Sequence, residues 1–107
     1  MIEIQKEDNK VFRFNLKTSS GRVLLESVPF TAPAEIEETI AEISPIIHNQ
    51  RIFERKTHHN GKFLFALKNK EGKIIGNSQF YSSEAGMENG IKNLRNRITA
   101  LSNLKTL

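Results

Sequence analysis

Shifted by 51 positions, this chain falls on itself: Phe12-Arg13-Phe14-Asn15-Leu16-Lys17 meets Phe63-Leu64-Phe65-Ala66-Leu67-Lys68. At the same offset Gly21 meets Gly72, Val23 meets Ile74, Ser27 meets Ser78 and Phe30 meets Tyr81. Thr31, Ala34, Glu37 and Ile40 then meet Ser82, Ala85, Glu88 and Ile91, with nothing inserted anywhere between Phe12 and Ile40. So long an ungapped register reads as duplication of one unit, and it constrains the fold more than any other feature.

Each unit reads alike. Phe12, Phe14 and Leu16 alternate with Arg13, Asn15 and Lys17, the period-two pattern of a strand with one buried face. Thr18-Ser19-Ser20-Gly21 follows, and Asn69-Lys70-Glu71-Gly72 in the second copy. A glycine closing such a hairpin loop accepts the left-handed backbone that a Cβ would resist. The next strand is read over 22–27 and 73–78, and an earlier one precedes each hairpin, over 2–6 and 52–56. Asn60-Gly61 turns the chain out of that earlier strand in the second copy.

A helix closes each unit. Ile36, Ile40, Ile43 and Ile47 form one apolar stripe, and Met87, Ile91, Leu94, Ile98 and Leu101 another. Pro33 suits a first helical position, and Ser82 or Ser83 can cap the second helix. Gly86 and Gly90 weaken that helix by about 1 kcal/mol each, so their use is close approach to a neighbour. A lone unit would bury little. Two units can share one sheet, which gives the expected fold class: α+β, duplicated strand-strand-strand-helix units forming a single antiparallel sheet with two helices on one face. The chain is read as one domain, 1–107, made of tandem repeats at about 1–50 and 51–107.

The motif Gly61-Lys62-Phe63-Leu64-Phe65-Ala66-Leu67-Lys68, then Gly72, Ile74-Ile75-Gly76 and Ser78, continues through Tyr81-Ser82-Ser83-Glu84-Ala85 and Glu88-Asn89-Gly90-Ile91. In these residues the chain resembles the YegP-like family of uncharacterised proteins. The first copy keeps Phe12, Phe14, Leu16, Lys17, Gly21 and Ser27 but has Phe30 for the tyrosine and Glu38-Thr39 for the Asn-Gly. The resemblance implies tandem units in a single sheet, each followed by a further strand, with the C-terminal strands exchanged. It implies no activity. Only Ser102–Leu107 remain to supply a last strand.

Chemistry is scarce in the sequence. Cysteine is absent, so disulfides, thiolate metal sites and thiol catalysis are excluded together. His58 and His59 are neighbours whose side chains would leave a strand on opposite faces, and His48 lies at the end of helix one. The single aspartate, Asp8, gives a triad nothing to converge on. Glu35, Glu37, Glu38 and Glu42 read as a solvated helical face complementing the late Lys92, Arg95 and Arg97 of helix two. No enzyme, metal or cofactor is expected. The N-terminus shows no signal peptide and no segment is long enough to span a membrane, so the chain reads as soluble and cytoplasmic.

Two surfaces remain as candidates. If Lys17 pairs Arg22, with Arg13 facing Glu26 and Asn15 facing Leu24, the equivalent register turns Leu64, Ala66 and Ile75 outward. That apolar cluster would serve a weak homodimer or a protein partner. The second candidate is basic: residues 1–50 carry five Lys/Arg against eight Asp/Glu, and residues 51–107 eleven against four. Lys62, Lys68, Lys73, Lys92, Arg95 and Arg97 would form a low-specificity surface for nucleic acid or other anions. Aromatic platforms for bases are missing, because Phe63 and Phe65 fall on the core-facing set, so specific nucleic-acid binding is disfavoured. The reading is a non-enzymatic interaction module, with anion binding as the alternative.

Overall fold

The computed structural model describes the backbone of residues 2–8 and 10–106, and side chains there except those of Asp8 and residues 102–106. Six strands form one antiparallel sheet: β1 (Ile2–Asp8), β2 (Val11–Lys17), β3 (Val23–Ser27), β4 (Phe53–Thr57), β5 (Phe63–Lys68) and β6 (Ile74–Asn77). Their spatial order is β1-β2-β3-β6-β5-β4, so β3 and β6 meet at the centre while β1 and β4 are edges. Helix α1 (Pro33–Ile43) follows β3 and helix α2 (Glu84–Thr106) follows β6. Their apolar stripes enter one core with the inward faces of the strands, so both helices lie on one side of the sheet.

The two halves match in detail. Asn15 pairs Glu26 and Ala66 pairs Asn77; Lys17 pairs Val23 and Lys68 pairs Ile74. Phe12 bridges Phe30 as Phe63 bridges Tyr81. Ser27 Oγ accepts from the Phe14 amide at 2.8 Å, and Ser78 Oγ from the Phe65 amide at 2.9 Å. Each hydroxyl in turn donates to the next carbonyl, Val28 or Gln79, at 2.8 Å. These serines satisfy the amide that the ladder abandons where β3 and β6 swing away to pair with each other. Glu26 faces Asn77 across that central seam. These two are counterparts at the 51-residue offset, so a pseudo-twofold axis runs between them.

The turns and caps follow from local chemistry. Gly21 and Gly72 hold φ of 89° and 84°, and each closes its hairpin by donating to Thr18 or Asn69 at 3.0 Å. Pro33 opens α1 after Ala32, and Ser83 Oγ accepts from the Gly86 amide at 3.0 Å to cap α2. Ser44 keeps helical backbone angles and donates to the Ile40 carbonyl, but Pro45 has no N–H to continue the ladder, so α1 stops at Ile43 and the chain goes on as a 3-10 turn, Ser44–Ile46. Ile47 is buried all the same.

Two expectations are corrected here. Among the described residues neither helix is followed by an exchanged strand: after α1 the chain passes two 3-10 turns into β4, which pairs β5 of its own half. Residues 102–106 continue α2, and Leu107 lies outside the described residues. The hairpin register is also different. Leu16 pairs Leu25 while Lys17 pairs Val23, so β3 spends one extra residue, Leu24, on a bulge. β6 does the same at Ile75, between the Leu67–Gly76 and Lys68–Ile74 pairs. The bulge turns Leu24 and Ile75 into the core beside Leu25 and Gly76.

Candidate functional site

Of the cluster expected to form an interface, Ile75 is 4 % exposed inside the core and Ala66 is fully buried. Leu64 alone is partly accessible. The open side of the sheet is instead crossed by ion pairs: Glu3–Lys17 at 3.0 Å, Glu7–Arg13 at 2.6 Å and Glu54–Lys68 at 3.2 Å. Ile4 and Phe80 are the large apolar side chains that stand well exposed among the described residues. Phe80 sits against the His58 ring, which in turn lies beside His59.

The basic residues are scattered by the fold. Lys68 is neutralised on the open face by Glu54. Lys62 stands in the β4–β5 turn and Lys92 on the exposed side of α2. Arg95 is structural: its Nε donates to the Ile47 carbonyl at 3.1 Å, and its guanidinium lies 4.8 Å from the Phe53 ring centre. A cation there meets the carbonyl end of the first helix, where the dipole favours it. The expected acid–base match between the helices is absent, since no ion pair joins α1 to α2 among the described residues. Glu88 pairs Arg55 of β4 instead, and that guanidinium holds the Glu88 carboxyl below its ordinary range.

Lys73 lines one of two grooves that sequence reading did not anticipate, and Arg97 a depression that adjoins the other. One groove, of about 240 Å³, lies between the β2–β3 turn and α2; it is lined by Thr18, Ser20, Arg22, Leu24, Tyr81, Gly86, Asn89, Gly90 and Asn93. Thr18, Leu24 and Asn93 also border a second depression of about 390 Å³ that runs on to Asn96 and Arg97. The other groove, of about 250 Å³, lies between the β5–β6 turn and α1, with Asn69, Lys73, Ile75, Phe30, Glu35 and Thr39 among its walls. These six stand at the 51-residue offset from Thr18, Arg22, Leu24, Tyr81, Gly86 and Gly90. Each groove thus pairs the hairpin turn of one half with the helix of the other.

The two differ in chemistry. At Gly90 an added Cβ would lie 2.2 Å from the Tyr81 hydroxyl oxygen, so only glycine lets the phenol sit against α2. Tyr81 is 8 % exposed, and its hydroxyl has no hydrogen-bond partner among the described residues. Burial pushes its phenol above the ordinary value, with nearby Arg22 pulling the other way. Arg22 lies 6.0 Å from the Tyr81 ring centre, with no acidic partner among the described residues. In the other groove Phe30 lacks the hydroxyl, Thr39 replaces Gly90, and Glu35, bonded to Thr31, brings a carboxylate. The pointers in the sequence were Tyr81 opposite Phe30 and the glycines four apart on one helical face.

No three His, Asp or Glu side chains converge into a cation-binding group among the described residues, and no helix is long and apolar enough to cross a membrane. Residues 59–100 match the profile of a family described as Domain of unknown function (DUF1508). The UPF0339 protein YegP of Escherichia coli K12 is 36% identical over 94 residues, covering 88% of this chain and 86% of that protein. The UPF0339 protein PA0329 of Pseudomonas aeruginosa is 32% identical over the same shares. The solution structure of the UPF0339 protein SO3888 from Shewanella oneidensis superposes with a TM-score of 0.83 at 32% identity, over 92% of this chain and 83% of that one. That of YegP from E. coli, a protein of unknown function, gives 0.81 at 35% identity over 92% and 84%. With these identities across nearly the whole length, the chain belongs to the UPF0339 YegP family.

Proposed function

We propose that this chain is a single, non-enzymatic binding domain, 1–107, that arose by duplication of a strand-strand-strand-helix unit. Its working surface is the groove between the β2–β3 turn and α2. The observation that carries this reading is Tyr81: its ring is buried, while its hydroxyl reaches an open groove with no hydrogen-bond partner among the described residues. A phenol hydroxyl that faces an accessible cleft and has no partner within the chain is placed to hydrogen-bond a ligand atom. The open sheet face supports self-association poorly, because ion pairs cross it and, of the expected apolar cluster, Ile75 and Ala66 are buried and Leu64 alone is partly accessible. A chain without cysteine suits a reducing compartment, and we place it in the cytoplasm.

The test is an amide chemical-shift map of the full chain against a library of small polar molecules. Shifts gathered at Thr18, Ser20, Gly86, Gly90 and Asn93 support the reading. Shifts gathered instead on Glu3, Asn15 and Lys68 would place the binding surface on the open face and overturn it.

A further inference from the structure

Resting on that reading, we infer that the Arg22–Tyr81 groove is an anion site, taking a small organic molecule by a carboxylate or phosphate group. The donors come from three separate segments. Arg22 offers a guanidinium from the start of β3, Tyr81 a phenol O–H from the segment after β6, and Asn89 and Asn93 carboxamides from α2. No lining residue is acidic. The Tyr81 proton stays on at neutral pH because burial opposes the phenolate, so the hydroxyl remains a donor. A guanidinium with no carboxylate to pair is a ready partner for a planar carboxylate or a phosphate, whose oxygens take two of its N–H groups side by side.

The groove is larger than an acid group alone, so an organic body accompanies it. The depression that continues past Asn93 to Arg97 is where that body extends. The equivalent groove beside α1 is an internal comparison. There the hydroxyl is gone at Phe30, a methyl-bearing Thr39 fills the gap left by Gly90, and Glu35 would repel an anion. Lys73 remains, yet a lysine without the phenol and beside a carboxylate offers much less. One half of the molecule binds; the other has the same shape without the donors.

The experiment is an amide titration of the full chain with succinate, with methyl phosphate and with glucose at constant ionic strength, repeated on Arg22→Gln and Tyr81→Phe. Saturable shifts with succinate or methyl phosphate are expected at Thr18, Gly86, Gly90 and Asn93, and none at Val28, Thr39 or Lys73. Arg22→Gln is expected to weaken binding about tenfold or more and Tyr81→Phe several-fold, since a hydrogen bond to a charged group is worth more than a neutral one. Both variants should keep the wild-type spectrum elsewhere, because Arg22 is exposed and phenylalanine stands at Phe30 in the other half. Which anion saturates at lower concentration separates the carboxylate source from the phosphate one. Binding of glucose alone would leave the groove as the working surface but overturn its assignment to anions. Anion binding unchanged in both variants, or equal shifts in the two grooves, would overturn it as well.

Discussion

Ile75 and Gly76 are adjacent in β6, and both are buried. A run such as Ile74-Ile75-Gly76 gives no alternation, so it does not say which residue points inward. A strict hairpin register put Ile75 on the open face; the bulge puts it in the core, 4 % exposed. The consequence is specific. Ile75→Lys leaves an unpaired ammonium among apolar neighbours and should cost about 3–5 kcal/mol, the range for an uncompensated buried charge. Urea unfolding of that variant checks it, and near wild-type stability would return Ile75 to the surface. Gly76 shows the same crowding from the other side. A Cβ there would stand 2.9 Å from the Leu25 side chain, so its counterpart across the seam already fills that space. Twofold packing at the axis has room for one large residue, and the sequence provides Leu25 with Gly76.

At the scale of elements, what depends on neighbours in sequence was legible and what depends on distant ones was not. The isoleucine stripe of α1, the stripe of α2, the glycine-closed turns and the Ser83 cap all follow from spacings within a few residues. The groove joins a turn near residue 20 to a helix near residue 90, and no local pattern announces that meeting. Arg95 was misread for the same reason. In sequence it is one more cation on a basic helix, and only the fold sets it on the Ile47 carbonyl and the Phe53 ring.

The Arg55–Glu88 pair ties α2 to the edge strand β4 through two contacts, at 2.5 and 3.0 Å. Arg55 holds the Glu88 carboxyl below its ordinary value, so its contribution is fully present above the unfolded value of about 4.3. It disappears as pH falls through the lower folded value. Both groups are substantially exposed, so the pair is worth at most about 1 kcal/mol. Glu88→Gln should therefore destabilise slightly at pH 7 and match wild type at pH 2. Urea midpoints at the two pH values check this; a difference that persists undiminished at pH 2 would show that Glu88 acts through packing instead.

For the whole molecule, the arrangement of the helices decides how the halves depend on each other. The strands of each half form their own meander, yet β3 and β6 pair at the centre and each helix borders a groove with the hairpin turn of the other half. We propose that neither half closes a core alone, since around 50 residues at roughly 1.5 kcal/mol of ordering cost each is more than so small a core offsets. The central claim is that the molecule is one cooperative unit across that seam. Its most direct test is native-state hydrogen exchange on the full chain carrying Phe65→Ala. Phe65 is fully buried in the second half, and its truncation should cost about 3–5 kcal/mol. Protected amides in β2 and β3 are predicted to lose the same free energy of opening as those in β5 and β6. Loss of protection confined to β4–β6 and α2, with β1–β3 holding at the wild-type level, would contradict the account and make the halves independent.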